Sequence, residues 1–470
     1  MTRVVIVGGG PGGYEAALVG RQLGGDVTLI DTDGMGGSAV LTDCVPSKTL
    51  IATAEVMSEV KGSAELGLRF GLTGQGTPES HVQVDLAAVN QRVLALAKQQ
   101  SVDIVKRLES EGVEIIVGRG RLDGPDRVLA ETESGEQTLD ADAILIATGA
   151  HPRVLPDAVP DGERILTWTQ VYALTELPER LIVVGSGVTG AEFASAYDAL
   201  GVDVVLVSSR DRVLPGEDAD AAQVLEDVFL RRGMTVLGRS RAESVSRDGD
   251  QVTVSLTDGR TVTGSHCLLA VGSVPNTADV GLEESGVTLG AGGFIEVDKV
   301  SRTSARGVYA AGDCTGVLML ASVAAMQGRI AMWHSLGDRV NPLDLGVVSS
   351  NVFTSPEIAT VGVSQLQADV AVPKVATAML PLRGNARAKM QGFHDGFVKL
   401  FCLPVTGIVV GGVVVAPRAS ELIYPLAMAV SQRLTVDQVA GSFTVYPSIT
   451  GSLAEAARRL HLHGRDLVKS

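Results

Sequence analysis

A glycine-rich turn near the start of the chain has the residue types that hold a dinucleotide. Gly8, Gly10 and Gly13 form a GxGxxG pattern between an apolar strand and a helix of small residues, and Asp31 ends the next strand. The first glycine permits the turn, the second lets the backbone approach a pyrophosphate, and the third allows the helix to pack closely on the strand. Free N–H groups at the helix N-terminus suit phosphates, and Asp31 can accept hydrogen bonds from an adenosine ribose. Because strand, helix and acid agree, a dinucleotide site is favoured over a glycine turn without a ligand.

A second copy of this strand, glycine turn and helix begins about 180 residues later. Gly185, Gly187 and Gly190 repeat the glycine spacing, but Ser208 stands where the first copy has Asp31. Without that acid, no negative charge repels the 2′-phosphate of NADPH.

Two arginines follow Ser208 closely. Arg210 and Arg212 could supply positive charge to a ribose 2′-phosphate. The alternative is that both are solvated loop residues paired with Asp211 or Glu217. We therefore expect NADPH to be accepted, with NADH not excluded.

Two dinucleotide units in one chain indicate a flavin nucleotide that takes a hydride from a nicotinamide nucleotide. Neither unit by itself says which nucleotide it holds. The chain of 470 residues is long enough for about three domains.

Charge and cysteine content narrow the class of protein. The net charge of −15 provides no long-range attraction for nucleic acid or anionic lipid. The chain has no apolar run of about 18 residues, and its start lacks the features of a signal peptide, so we interpret it as cytoplasmic, without membrane insertion. The four cysteines are dispersed, which indicates neither a disulfide framework nor a metal site. Burial as small apolar residues is the preferred interpretation of Cys267, Cys314 and Cys402.

The rest of the sequence predicts the elements that must position these turns. Apolar residues at helical spacing predict helices between Val82 and Glu111, followed by short strands that end in DAILIATGAHPR. Strands around QVTVSLTDG and CLLAVGSVPNT continue the second unit, and GVYAAGDCTG opens a further strand and turn. After the linker RVNPLDLGVV, two strands and a helix predict a separate α+β domain.

In this order, the segments resemble the flavoprotein disulfide reductases, most of all the dihydrolipoamide dehydrogenase branch. The resemblance covers essentially the whole chain and rests on VVIVGGGPGGYEAA, GGSAVLTDCVPSKTL, AILIATG, IVVGSGVTGAEFA, AVGSVPNT, GVYAAGDCTG, SPEIATVGV and GFVKLF. It implies an α/β fold with two Rossmann-like dinucleotide-binding domains and a C-terminal α+β dimerisation domain. The implied boundaries are 1–155 and 276–345 for FAD, 156–275 for NAD(P)H, and 346–470 for homodimer formation.

The resemblance also assigns roles to residues. It places Asp313 on the ribityl chain of the flavin, with a turn-forming aspartate as the alternative. It pairs Lys48 with Glu192 beside flavin N5, where a cation favours the anionic reduced flavin; an exposed, unpaired Lys48 is the alternative. Further cofactor contacts are expected at Gly37, Ser38, Gly120, Thr148, Gly149, Ala321, Val245 and Gly272.

Two departures from the family pattern concern the redox groups. Alignment of GGSAVLTDCVPSK places Ala39 at the first redox cysteine and Cys44 at the second, so no disulfide can form there. The family's histidine base and its orienting glutamate are replaced by Tyr446 and Gly451. A phenol is a poor general base at neutral pH. His461 and His463 follow, and we interpret them as surface residues of a C-terminal helix rather than a relocated base.

These patterns predict flavin chemistry without dithiol chemistry. The preferred hypothesis is an NAD(P)H-dependent flavoenzyme that reduces quinones or similar diffusible acceptors, with Tyr446 of the partner subunit hydrogen-bonding the acceptor. One alternative is a soluble transhydrogenase between NADPH and NAD. The other is a flavin-binding redox sensor or complex subunit in which Cys44 is a single reactive thiol.

Overall fold

The computed structural model of the chain describes residues 1–68, 82–371 and 374–467. The chain forms two compact units, each assembled from three segments. The first unit comprises Met1–Thr49, Asn90–Val154 and Val271–Asp344, and the second comprises Leu50–Val89, Leu155–Ala270 and Leu345–Ser470.

The described residues contain 23 strands and 13 α-helices. The strands are β1 (Arg3–Val7), β2 (Asp26–Asp31), β3 (Glu114–Val117), β4 (Arg119–Leu122), β5 (Arg127–Thr132), β6 (Gly135–Asp140), β7 (Ala143–Ile146), β8 (Ala150–Pro152), β9 (Ile165–Thr167), β10 (Arg180–Val184), β11 (Asp203–Val207), β12 (Thr235–Leu237), β13 (Ala242–Asp248), β14 (Gln251–Leu256), β15 (Thr261–Gly264), β16 (His266–Leu269), β17 (Ser273–Pro275), β18 (Val308–Ala310), β19 (Ser349–Val352), β20 (Glu357–Gly362), β21 (Ala376–Pro381), β22 (Phe397–Cys402) and β23 (Val409–Ala416). The helices are α1 (Pro11–Gln22), α2 (Gly37–Leu41), α3 (Cys44–Gly62), α4 (Leu86–Ser110), α5 (Val188–Ala199), α6 (Ala219–Arg232), α7 (Ala321–Ser335), α8 (Gln365–Val370), α9 (Ala386–Met390), α10 (Ala419–Leu422), α11 (Tyr424–Ser431), α12 (Val436–Gly441) and α13 (Gly451–Leu467).

The first unit is built on a parallel sheet in the order β18-β7-β1-β2-β3. Four successive residues of β1 are buried, as expected for a parallel strand covered on both faces. Helices α1 and α7 cross closely, because a Cβ atom on Gly328 would lie 2.0 Å from the carbonyl oxygen of Gly12.

The second unit contains a five-stranded parallel sheet, a five-stranded antiparallel sheet and the three-stranded antiparallel sheet β13-β14-β15. The parallel sheet has the order β12-β11-β10-β16-β9 and carries the second glycine turn between β10 and α5. The five-stranded antiparallel sheet has the order β19-β20-β23-β22-β21. Its core includes residues of α11 and α13, and every residue of β22 is buried.

The structure confirms the predicted mixed α/β class and both strand, turn and helix units. Helix α4 occupies the stretch predicted as helical, and β22 and β23 are the two strands predicted near the C-terminus. Within the described ranges, no helix is both long enough and apolar enough to cross a membrane.

Candidate functional site

The first glycine turn contains two kinds of glycine: two that packing within the protein requires and one that it does not. A Cβ atom on Gly8 would lie 2.2 Å from the carbonyl oxygen of Ala147, and one on Gly13 would lie 1.8 Å from the carbonyl oxygen of Gly8. The protein itself therefore excludes side chains at both positions. A Cβ atom on Gly10 would meet no atom within 4 Å. Packing within the protein does not explain why position 10 is a glycine.

The second turn repeats this division. Cβ atoms on Gly185 and Gly190 would lie 2.1 Å from the carbonyl oxygen of Ala270 and 1.8 Å from that of Gly185, whereas Gly187 faces open space. Gly10 and Gly187 precede α1 and α5, and neither helix has a side-chain cap on its first N–H groups. These open positions with uncapped N–H groups fit a pyrophosphate that approaches the backbone.

Asp31 lies at the end of β2, where the sequence pattern places it. One carboxylate oxygen accepts the N–H of Gly9 at 2.6 Å, and the other accepts those of Asp33 at 2.8 Å and Gly34 at 2.7 Å. Asp31 thus supports the first glycine turn. A carboxylate has about four acceptor positions, so one remains for the predicted ribose contact.

Another turn of the first unit, at Gly36 and Gly37, packs against Gly10. The N–H of Gly36 donates to the carbonyl of Gly9 at 2.8 Å, and a Cβ atom on Gly37 would lie 2.8 Å from the Cα atom of Gly10. Gly37 has a φ of +55°, in the region that favours glycine. Ser38 follows on α2 and is exposed. The structure therefore brings these two predicted contacts to the first glycine turn.

Asp313 lies in a short 3₁₀ turn directly after β18. Burial, followed by the negative charge of Asp43, raises the pKa of Asp313 to about 6. Gln327 is buried beside this turn and accepts the N–H of Gly312 at 2.9 Å. A partly buried carboxylate of this kind gains from hydroxyl donors, which suits the predicted ribityl contact. Asp43 and Gln327 were not predicted, because neither residue belongs to a glycine motif.

FAD binding is expected to weaken about tenfold between pH 7 and pH 5. Hydroxyl donors favour the carboxylate of Asp313, so binding strengthens as pH rises through the raised pKa of about 6. In the absence of FAD, the stability of the folded protein depends on pH in the opposite direction. The folded protein binds the extra proton, so its stability falls as pH rises from about 4 to about 6. Titration of the apoprotein with FAD at three pH values measures the effect. The same pH slope in Asp313→Asn would assign it to another group.

Two predicted contacts, Thr148 and Gly149, are hydrogen-bonded to Asn276, the residue directly after β17. Thr148 Oγ1 donates to the carbonyl of Asn276 at 2.7 Å, and Asn276 Nδ2 donates to the carbonyl of Thr148 at 2.8 Å. Gly149 and Gly272 have φ values of +69° and +96° and face open space. Asn276 lies within AVGSVPNT but was not singled out from the sequence. Through Nδ2, its side chain connects chain segments that are 128 residues apart.

The remaining three positions differ in what the structure says of them. Gly120 lies in β4, where a Cβ atom would be 2.9 Å from Val7, so packing alone requires a glycine there. Val245 is buried in β13 and its N–H donates to the carbonyl of Asp157 at 2.8 Å. Ala321 is the exposed first residue of α7. Cofactor contacts at all three remain predictions.

Ser208 and its arginines separate into a buried and an exposed part. Ser208 is fully buried, and its hydroxyl lies 2.6 Å from that of Ser186. The Ser208 hydroxyl is therefore not free to bind a ligand. What matters for the coenzyme is that position 208 carries no negative charge. Arg212 donates to the carbonyls of Pro215 and Glu217, each at 3.4 Å.

Arg210 differs from Arg212 in its surroundings. It is exposed, and its guanidinium has no ion pair among the residues that the structure describes. Asp211, which the alternative interpretation pairs with these arginines, instead lies 4.0 Å from Arg239. This geometry supports Arg210 as the countercharge for a 2′-phosphate.

Glu192 is a buried carboxylate on α5. Its Oε1 accepts the N–H of Phe353 at 2.9 Å, and one turn later Ser195 Oγ accepts the N–H of Ser355 at 3.1 Å. The segment after β19 thereby fixes the orientation of this helix face. Lys48 is half-buried on α3, one turn after Cys44. The pairing of Lys48 with Glu192 remains a prediction.

Comparison with known proteins agrees with this geometry. Residues 2–328 match the pyridine nucleotide-disulphide oxidoreductases, and residues 348–457 match the dimerisation domain of the same enzymes. The chain belongs to the pyridine nucleotide-disulphide oxidoreductase family. The predicted resemblance, the fold class and the cofactors FAD and NAD(P)H are thereby confirmed.

Three relatives illustrate how the chain lies within this family. A Mycobacterium tuberculosis protein named NAD(P)H dehydrogenase (quinone) is 54% identical over 473 residues, covering 98% of this chain and 94% of that protein. The dihydrolipoyl dehydrogenase of Zymomonas mobilis is 32% identical over 470 residues, covering 99% and 98%. The crystal structure of LpdA from Mycobacterium tuberculosis has 54% identity and a TM-score of 0.92, covering 98% of this chain and all of that chain.

The segment GGSAVLTDCVPSKTL (residues 36–50), which aligns with the family's redox motif, contains a single cysteine. Ala39 lies in α2, and Cys44 is the half-buried first residue of α3. The other three cysteines are buried, which confirms their predicted role as small apolar residues. Burial raises the pKa of Cys314 and of Cys402 to about 11, and it also raises the pKa of Cys267. These three thiols stay protonated at neutral pH.

Tyr446, which the sequence resemblance aligns with the family's histidine base, lines a cavity of about 630 Å³ near the C-terminus. Its side chain is exposed. Gly451 begins α13, and its N–H donates to Ser448 Oγ at 3.1 Å. Glycine has no side chain with which to orient a base. The role of Tyr446 toward an acceptor remains a prediction.

The two C-terminal histidines were predicted to lie on the surface of a helix. His461 lies on α13, is partly exposed and forms an ion pair with Asp437. This contact fits the interpretation of a surface residue. The side chain of His463 lies outside the described part of the chain.

Proposed function

We propose that this oxidoreductase is an FAD-dependent NAD(P)H dehydrogenase that reduces quinones without dithiol chemistry and acts as a homodimer. The observation that carries the proposal is the absence of sulfur at position 39, next to a single thiol at Cys44. Dithiol transfer needs an attacking thiolate and a second sulfur to close the disulfide. The name of the Mycobacterium tuberculosis relative, NAD(P)H dehydrogenase (quinone), supports the same acceptor.

A quinone fits a site that has lost its thiol pair. Bound FAD supplies the two-electron acceptor for the hydride of nicotinamide C4, received at flavin N5. The balanced reaction converts NAD(P)H, a proton and a quinone into NAD(P)⁺ and a hydroquinone. No covalent bond between the acceptor and the protein is needed, so neither a cysteine nor a histidine base is required.

Three residues are proposed to act at the reacting groups. Lys48 supplies a positive charge beside the flavin, and Glu192 holds that charge in place. The hydrogen bond from Phe353 to Glu192 supports this role, because it keeps the carboxylate in one orientation. Tyr446 is proposed to donate a hydrogen bond to the quinone oxygen, with its exposed side chain available to a partner subunit.

Turnover with quinones is expected to exceed turnover with lipoamide by at least about 100-fold, which corresponds to about 2.7 kcal/mol in the barrier. Steady-state rates with NADPH and a 1,4-naphthoquinone, compared with oxidised lipoamide, test this. The matched variant Cys44→Ser removes the last sulfur of the segment and is expected to keep quinone turnover within about twofold.

Two results would contradict the proposal. One is lipoamide reduction comparable to quinone reduction, and the other is a loss of quinone turnover of more than about tenfold in Cys44→Ser. Rapid NADPH-driven reduction of an NAD analogue, with slow quinone turnover, would instead identify a transhydrogenase. Reduction of the bound FAD without turnover by any acceptor would identify a redox sensor.

A further inference from the structure

Lys399 is a buried lysine that the proposed reaction does not use. It lies in the middle of β22 and is only 1% exposed. Its Nζ atom donates to both carboxylate oxygens of Asp218 at 2.9 and 2.8 Å, to Asp220 at 2.6 Å and to Gln365 at 3.2 Å. Lysine is almost never fully buried unless it is paired. The pairing partners of this lysine are therefore the carboxylates at the start of α6.

Asp218 is buried on its side as well. Its side chain is 3% exposed, and it caps α6 by accepting the N–H groups of Asp220 at 3.0 Å and Ala221 at 3.1 Å. The same carboxylate thus ends the preceding loop, begins the helix and neutralises Lys399. Asp220 is 57% exposed and can be hydrated, whereas Asp218 cannot.

The loop 208–217, which ends at Asp218, begins at the proposed coenzyme site. It carries Arg210, and the N–H of Leu214 donates to the carbonyl of Ser186 at 2.8 Å. Ser186 belongs to the second glycine turn. Leu214 has a φ of +50°, a conformation that non-glycine residues rarely adopt, so the surrounding contacts must hold it. The loop is therefore anchored at the glycine turn and at Asp218.

We propose that Lys399 is a positioning residue for NAD(P)H binding. It fixes the start of α6 through Asp218, and so holds the loop that presents Arg210 beside the second glycine turn. The inference rests on the proposed coenzyme site and names a determinant of its affinity from another sheet of the same unit. Without Lys399, a buried carboxylate loses its neutralising charge, and the start of α6 must move toward water.

The test uses the FAD-loaded protein and NADP⁺, which binds without reducing the flavin. Lys399→Met is expected to weaken NADP⁺ binding about tenfold or more in calorimetric titration and to leave the FAD content unchanged. Hydrogen exchange at the amide of Leu214 is expected to become faster by a similar factor. The double variant Lys399→Met with Asp218→Asn is expected to recover much of the affinity, because asparagine keeps the cap and removes the unpaired charge.

Leu400→Ala is the matched control for lost stability. Leu400 is the next residue on β22 and is fully buried in the core of the antiparallel sheet, outside the lysine contacts. This variant is expected to lower the melting temperature while NADP⁺ affinity and exchange at Leu214 stay within about twofold of the wild type.

Three results overturn the inference. They are unchanged NADP⁺ affinity and Leu214 exchange in Lys399→Met, equal weakening of NADP⁺ binding in Leu400→Ala, and no recovery in the double variant. Because no acceptor is used, failure of quinone turnover does not affect the outcome. Arg210→Glu tests the coenzyme contact itself. Unchanged NADP⁺ affinity in that variant overturns the proposed contact, while the exchange rate of Leu214 still measures whether Lys399 holds the loop.

Discussion

Gly10→Leu is expected to yield a folded protein with less than about a tenth of the wild-type FAD content, a loss of about 100-fold or more in affinity. The reason is the open space at position 10, where a Cβ atom meets no protein atom within 4 Å. A leucine side chain would occupy that space, which is the proposed site of approach of the pyrophosphate to the backbone. Flavin absorbance per mole of protein measures the loss, and circular dichroism checks the fold.

Two variants show whether this effect belongs to the ligand. Gly13→Ala places a Cβ atom 1.8 Å from the carbonyl oxygen of Gly8, so it is expected to destabilise the protein itself. Gly62→Leu introduces the same side chain at the end of α3, where a Cβ atom also meets nothing within 4 Å. It is expected to retain FAD. Full FAD content in Gly10→Leu would remove the first unit as the FAD site.

Gly187→Leu is expected to have the reciprocal effect: wild-type FAD content, with NADPH affinity reduced by about 100-fold or more and turnover lost at ordinary NADPH concentrations. Position 187 has the same open space at the N-terminus of α5. The protein would remain yellow because the first unit is unaltered. NADP⁺ titration and the rate of flavin reduction by NADPH provide the two measurements.

The pair of variants assigns the two nucleotides to the two turns. Loss of FAD in Gly187→Leu with retention in Gly10→Leu would reverse the assignment, and loss of both cofactors in either variant would indicate general unfolding. Gly62→Leu serves again as the control, since its coenzyme affinity is expected to match that of the wild type.

Local patterns account for what could be predicted of the fold and the site. The GxGxxG spacing, the apolar strands and the small-residue helices all lie within about 30 residues, and short-range sterics decide them. Both turns were predicted for this reason, whereas the burial of Cys267, Cys314 and Cys402 was predicted from the general tendency of free cysteines to be buried. Alanine at position 39 could also be recognised from the sequence, because the family resemblance marks the position where a first redox cysteine is expected.

Contacts between distant segments could not be predicted. The hydrogen bond from Phe353 to Glu192 joins residues 161 positions apart, and the contact of Lys399 with Asp218 spans 181 positions. In GFVKLF, the lysine of an otherwise apolar strand has no sequence feature that marks it as buried. The sequence shows that position 208 carries a serine instead of an acid. Only the packing of Ser208 against Ser186 shows that its hydroxyl points inward.

The sequence by itself determined the two glycine turns, because they depend on residue spacing over short stretches, and the family resemblance placed Ala39 where a first redox cysteine is expected. Only the tertiary structure decided which glycines face open space, which charges are buried, and which arginine near Ser208 stays available. Burial and pairing depend on the approach of segments that are far apart in sequence, and desolvation makes those approaches decisive for charged groups.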